Sequence, residues 1–118
     1  MNLLTMILIS LVVVLHVYFL ILEMFLWTRP LGMKTFRLKP EFAQATKVLA
    51  MNQGLYNGFL AAGLLWGLLA KSNAVPISIF FLSCVIVAGL FGGITANKKI
   101  ITIQALPAML AMTALLIS

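Results

Sequence analysis

Long apolar stretches, separated by short polar connections, constrain the fold of this 118-residue chain more than any other feature. A helix needs about 20 consecutive apolar residues to cross the hydrocarbon core of a bilayer, and the chain is long enough for four such helices with short connections. The sequence therefore predicts an all-α membrane protein: one transmembrane domain over residues 1–118, with four helices in an up-down bundle. The expected helices cover about 3–27, 41–70, 76–96 and 99–117.

Composition excludes the other common classes of protein. Hydrophobic residues make up 64% of the chain and charged residues 8%, whereas a soluble domain is about half apolar and about one quarter charged. An ordinary soluble enzyme, a disordered chain and a disulfide scaffold are all inconsistent with these values. A transmembrane β-barrel would show segments of about ten residues with alternating polarity, and the chain has none.

The distribution of basic residues predicts the orientation in the membrane. Seven Lys and Arg residues lie in the first and third connections and one lies in the second: Arg29, Lys34, Arg37, Lys39, Lys47, Lys98 and Lys99 against Lys71. Lys and Arg are enriched in cytoplasmic loops, so both termini are expected outside a bacterial inner membrane. The same rule accounts for the net charge of +6, and no nucleic-acid partner is expected.

Two polar residues of the first helix are the candidate catalytic residues. His16 and Glu23 are seven residues apart, so they project from one helix face about 10 Å apart. Glu23 is the only acid in any predicted span, and a carboxyl group at this depth must pair, bind a ligand or stay protonated. The alternatives are an ion pair of Glu23 with a base of the first connection, and a hydrogen-bonded core role for His16. A single His without nearby Cys, Asp or a second His is a poor metal site.

Candidate ligand-binding residues come from the second and fourth helices. They are Asn52, Gln53, Tyr56 and Asn57, which share an arc of about 140° on a helical wheel, and Gln104. Counted from the nearest bases, these residues and Glu23 lie at a similar depth in the cytoplasmic leaflet. They therefore predict a polar pocket whose basic rim favours an anionic ligand or a lipid head group. The alternative is that the amides are interhelical hydrogen-bonding groups and that Tyr56 is a packing residue.

Small residues and one proline predict local packing. Gly54 and Gly58 are four residues apart, a spacing that lets helices approach closely, and the wheel directs them away from the polar arc. One face of the second helix is thus expected to pack while another lines the pocket. Pro107 is expected to kink the fourth helix near Gln104.

The segments 16–27 and 52–63 resemble a family of short bacterial membrane proteins of unknown function. The resemblance extends over nearly the whole chain and implies no activity.

The segments 47–61 and 91–97 distantly resemble the second and third helices of the membrane-associated eicosanoid and glutathione metabolism superfamily. That resemblance implies a trimer that binds glutathione, the candidate cofactor, or lipid between subunits near the cytoplasmic side. The superfamily's Asn is replaced here by Gly54, its acid by Asn57 and its third-helix Tyr by Ile94, and the fourth helix has no Arg. The resemblance therefore concerns the architecture more than glutathione transfer.

The functional hypothesis is an integral membrane protein that binds a small or lipid-like ligand, with Glu23 as proton acceptor or anchor. Whether it is an enzyme is left open. Small multidrug exporters also have four helices and a lone first-helix Glu, so a proton-coupled exporter is the first alternative. A structural or accessory subunit, whose polar residues only join helices, is the second.

Overall fold

A computed structural model describes all residues of the chain, 1–118, and contains helices and no strands. The helices are α1 (Leu3–Met24), α2 (Pro30–Phe36), α3 (Pro40–Ala45), α4 (Lys47–Leu69), α5 (Ala74–Thr95), a π-helical turn (Ile101–Ala105) and α6 (Leu106–Ile117). The predicted all-α class is confirmed. The chain divides into two compact units: the first comprises Met1–Leu15 with Leu60–Ser118, and the second comprises His16–Phe59.

Two helices, α1 and α5, are long and apolar enough to cross a membrane. Each has 22 residues, and only 22% of the most apolar window of each is buried within the protein. The segment Ile101–Ile117 is apolar but shorter. Helix α4 has 23 residues, but the polar residues of its first half lower its hydropathy. The structure therefore supports two spans by length and composition, and the four-span arrangement stays a prediction.

The first unit has an apolar core built from four helices. Its fully or almost fully buried members are Ile9, Val12, Leu64, Leu82, Val85, Ala108, Ala111 and Leu115. In α5 and α6 these residues recur every three or four positions, which is the spacing of one helix face. Three of the eight come from α6 and two of those are alanines, so this helix packs closely.

Among the glycines of the first unit, Gly89 lies closest to the backbone of another segment, that of the π-turn. A Cβ atom added to Gly89 would lie 2.6 Å from the backbone nitrogen of Ala105 and 2.9 Å from its Cα. The π-turn closes with a hydrogen bond from the amide of Leu106 to the carbonyl of Ile101. Pro107 follows at once, within the first turn of α6. An α-helical proline clashes with the carbonyl four residues earlier, and a π-turn widens the helix at that point. The predicted disturbance at Pro107 thus takes the form of a π-turn.

The second unit contains helix ends that the sequence pattern placed differently. Helix α1 ends at Met24 and not near residue 27, and the expected helix 41–70 is divided at Thr46. Proline at the start of α3 suits the first turn of a helix. Thr46 then leaves the helical region, with φ −105° and ψ 9°. Its hydroxyl donates to the carbonyl of Phe42 (2.7 Å) and accepts from the indole Nε1 of Trp27 (3.0 Å).

Candidate functional site

Two glycines of α4 allow close packing against the end of α1 within the second unit. A Cβ atom on Gly54 would lie 3.2 Å from the Cβ of Glu23 and 3.2 Å from the carbonyl oxygen of Leu20. One on Gly58 would lie 2.7 Å from the Leu20 side chain. Side chains at these positions would hold the two helices apart, so the glycines set the distance at which polar groups of α1 and α4 meet.

The polar pair of this unit is formed by Glu23 and Asn57. The Asn57 side-chain amide donates a hydrogen bond to Oε1 of Glu23 at 2.5 Å. Asn57 is 5% exposed and Glu23 is partly buried. The partner of the Glu23 carboxyl group is therefore an amide from a distant part of the sequence, not a base of the first connection.

The predicted polar arc of α4 is divided by this packing. Asn57 is buried, whereas Asn52, Gln53 and Tyr56 are exposed. The expectation that the glycines point away from the polar residues is wrong for Asn57, because the buried face of α4 carries Gly54 and Asn57 together. Positions three residues apart are neighbours on a helix surface, and the inner face of α4 falls at the edge of the arc that the wheel defined.

The remaining candidate residues lie in different surroundings. His16 is fully buried, and its ring meets that of Phe19 edge-on with centroids 5.5 Å apart. The Tyr56 ring lies 6.1 Å from that of Phe59. Gln104 belongs to the first unit, where it is half-buried in the π-turn. The second unit thus brings Glu23 and Asn57 into contact. No group of three or more His, Cys, Asp or Glu side chains could hold a metal ion.

A cavity of about 490 Å³ lies at the end of α1 in the second unit. Its lining residues come from α1, from the turn that follows it, from α3 and from the start of α4: Met24, Phe25, Trp27, Thr28, Arg29, Gln44 and Lys47. The sequence pattern indicated the two bases as part of a basic rim but missed the aromatic, hydroxyl and amide residues. The sequence feature that could have indicated the aromatic side of the cavity is a tryptophan at the end of an apolar helix, next to basic residues.

These features define a class: an all-helical protein with two helices able to cross a bilayer and a polar pair joining α1 to α4. The chain belongs to the DUF1304 family of proteins of unknown function, whose sequence profile matches residues 10–116. The predicted membership of a family of unknown function is confirmed.

One curated relative is the uncharacterised protein YpaA of Lactococcus lactis subsp. lactis (strain IL1403), which is 34% identical over 114 residues. The match covers 95% of this chain and 96% of the relative. No solved structure matches the chain. Neither the family nor this relative connects the chain to the eicosanoid and glutathione metabolism superfamily.

Proposed function

We propose that this protein spans the bacterial inner membrane with four helices, has both termini outside, and binds a small or lipid-like ligand in the cytoplasmic leaflet. The low burial of α1 and α5 supports the membrane location, because the core helix of a soluble protein would be mostly buried. Large apolar side chains such as Leu3, Phe91 and Ile94 are 68–81% exposed. Such a surface is stable against lipid and unstable in water.

The hydrogen bond between Glu23 and Asn57 carries the proposal of a ligand site. Polar groups within the membrane are costly unless they find partners, and ionisable ones typically mark sites of binding or proton transfer. Asn57 satisfies one oxygen of the Glu23 carboxyl group, and the amide can donate to either protonation state of that group. A carboxyl group has more than one acceptor position, so it can hold this bond and still accept a proton or bind a donor on a ligand. Glu23 therefore acts as proton acceptor or anchor. The buried His16 precedes it by seven residues, almost two helical turns, and projects from the same face of α1.

The exposed polar residues of α4 support an oligomer. Asn52, Gln53 and Tyr56 are exposed on a helix that also contributes the buried Asn57. Amide groups facing lipid would lack hydrogen-bond partners, so contact with another copy or with the bound ligand would satisfy them. The resemblance to the eicosanoid and glutathione metabolism superfamily favours a trimer, with lipid or glutathione bound between subunits.

The chain offers a matched test because it contains only two acids, Glu23 and Glu41. The protein is extracted mildly from its own membrane and analysed by native mass spectrometry as wild type, Glu23→Gln and Glu41→Gln. Loss of a co-purified lipid or thiol in Glu23→Gln alone, with the subunit count unchanged, supports the site. Equal ligand retention in all three proteins contradicts it. A trimer favours the superfamily architecture, and a dimer counts against it.

A small proton-coupled exporter is the second candidate function. It is favoured by one observation: Glu23 is the only carboxyl group in α1, α4, α5 or α6. Proteoliposomes with an imposed pH gradient would then accumulate or expel a cationic dye, and Glu23→Gln would abolish the flux. Absence of proton-dependent flux in proteoliposomes that contain the protein in the transport-competent orientation would exclude this function. Full tolerance of alanine at Glu23 and His16 in both assays would leave the structural or accessory role.

A further inference from the structure

The cavity at the end of α1 is lined by bases and by no acid. Its two charged residues are Arg29, which precedes the first residue of α2, and Lys47, the first residue of α4. Thr28 and Gln44 add a hydroxyl and an amide. The first connection as a whole carries five bases and one acid, Glu41, and Glu41 does not line the cavity.

The cationic side chains of the cavity are available for an external partner. Of the two acids of the chain, Glu23 is hydrogen-bonded to Asn57, and neither Glu23 nor Glu41 lines the cavity. Two positive charges around one cavity repel each other, and an anion placed between them adds two attractions over shorter distances, which outweigh this repulsion. The guanidinium group can donate two parallel hydrogen bonds to the oxygens of a phosphate, while the lysine ammonium acts as a point charge. This donor set suits a phosphate-type anion.

The other side of the cavity is apolar and held in place. Met24, Phe25 and Trp27 contribute to the lining. The Trp27 indole is fixed by its hydrogen bond to Thr46 (3.0 Å) and by the Phe36 ring, 5.0 Å between centroids. Amphipathic aromatic residues settle at the level of lipid head groups. The volume of about 490 Å³ lies within the usual range of ligand pockets, which leaves room for apolar atoms beside the anion.

We infer that the cavity lined by Arg29, Lys47, Gln44 and Trp27 binds the phosphate of an anionic phospholipid head group. The bases bind the phosphate, Gln44 and Thr28 can bind its ester oxygens or glycerol hydroxyls, and the aromatic side contacts the first carbons of the lipid. The inference depends on the proposed membrane location. It is independent of the proposed role of Glu23, which does not line the cavity.

The test measures binding of phosphatidylglycerol and of phosphatidylcholine with the same acyl chains to the full-length protein, by native mass spectrometry from mixed micelles. The double variant Arg29→Gln/Lys47→Gln is compared with Arg37→Gln/Lys39→Gln. The control pair removes the same charge from the same connection, and both of its residues are exposed and lie outside the cavity. The preference for phosphatidylglycerol should fall about thirtyfold in the first variant and change less than threefold in the second.

Each further outcome has a defined meaning. An equal fall in both double variants would show a diffuse charge effect and overturn the site. Displacement of phosphatidylglycerol by inorganic phosphate at equal concentration would overturn the lipid as the source of the phosphate. Lys47→Gln alone changes an exposed side chain and should lower the preference about fivefold, so the site remains testable if the double variant fails to fold. Glu23→Gln should retain phosphatidylglycerol, which separates this site from the proposed role of Glu23.

Discussion

Replacing Gly89 by alanine tests the closest approach of a glycine to the backbone of another segment in the first unit. The added methyl group would lie 2.6 Å from the backbone nitrogen of Ala105, 2.8 Å from its Cβ and 2.9 Å from its Cα. These atoms belong to the π-turn and cannot rotate away as a long side chain can. Helix α5 or the π-turn must therefore shift as a whole. The matched control is Gly92→Ala in the same helix, where the nearest atom is Cγ2 of Ile100 at 3.3 Å.

The expected magnitude follows from two opposing terms. Alanine is more favourable than glycine in a helix interior by about 1 kcal/mol. Overpacking a tight interior costs about 1–3 kcal/mol, and contact with backbone atoms places Gly89 at the upper end. The net loss for Gly89→Ala is therefore about 2 kcal/mol. At Gly92 a methyl group of Ile100 needs to move by only a few tenths of an ångström, so the variant should be neutral or more stable by up to about 1 kcal/mol.

The measurement is reversible unfolding in mixed micelles of lipid and detergent, followed by circular dichroism. The two variants should differ by about 2–3 kcal/mol in the free energy of unfolding. A difference below about 0.5 kcal/mol would refute the reasoning, since it would show that α5 and the π-turn are not in backbone contact.

Three further predictions concern the second unit and use the same unfolding measurement. The hydrogen bond between Trp27 and Thr46 should give a coupling free energy of about 1 kcal/mol in a double-mutant cycle of Trp27→Phe and Thr46→Val; additive effects would show that it contributes nothing. Asn57→Leu removes the partner of Glu23 and should cost about 1–3 kcal/mol, and adding Glu23→Leu should restore part of that loss, whereas a further loss would contradict the pairing. Arg37 has φ 56° at the end of α2, a left-handed conformation that glycine adopts more easily. Arg37→Gly should therefore stabilise the protein by about 1 kcal/mol. A destabilised variant would show that contacts of the arginine side chain contribute more than its backbone conformation costs.

The glycines of α4 show that the sequence predicted a packed helix face correctly but did not predict all the residues on it. The spacing of Gly54 and Gly58 correctly indicated a closely packed face of α4, because small residues four apart share one side of a helix. The same wheel grouped Asn57 with the exposed Asn52 and Gln53. An angle on a wheel orders side chains around a helix, but it does not say where the neighbouring helix lies. The position of α1 decides which edge of the polar arc is buried.

The cavity of the second unit shows a similar limit. The bases near the end of α1 were visible as a charge run in the sequence. Their arrangement around one cavity depends on the turn that follows α1 and on the break at Thr46. The turn depends in part on Gly32, because any Cβ at that position would collide with the carbonyl group of Leu26. Contacts of this kind join residues whose local patterns are unrelated.

The sequence by itself determined the helical class, the apolar character of α1 and α5, and the presence of a lone acid in an apolar helix. These properties follow from composition and from the short-range periodicity of a helix, so they do not depend on the partner of any residue. The tertiary structure decided that Glu23 pairs with Asn57, 34 residues away, and that a π-turn precedes Pro107. Both depend on how closely one backbone packs against another. Gly54 and Gly89 permit a short distance, but only the packed helices specify it.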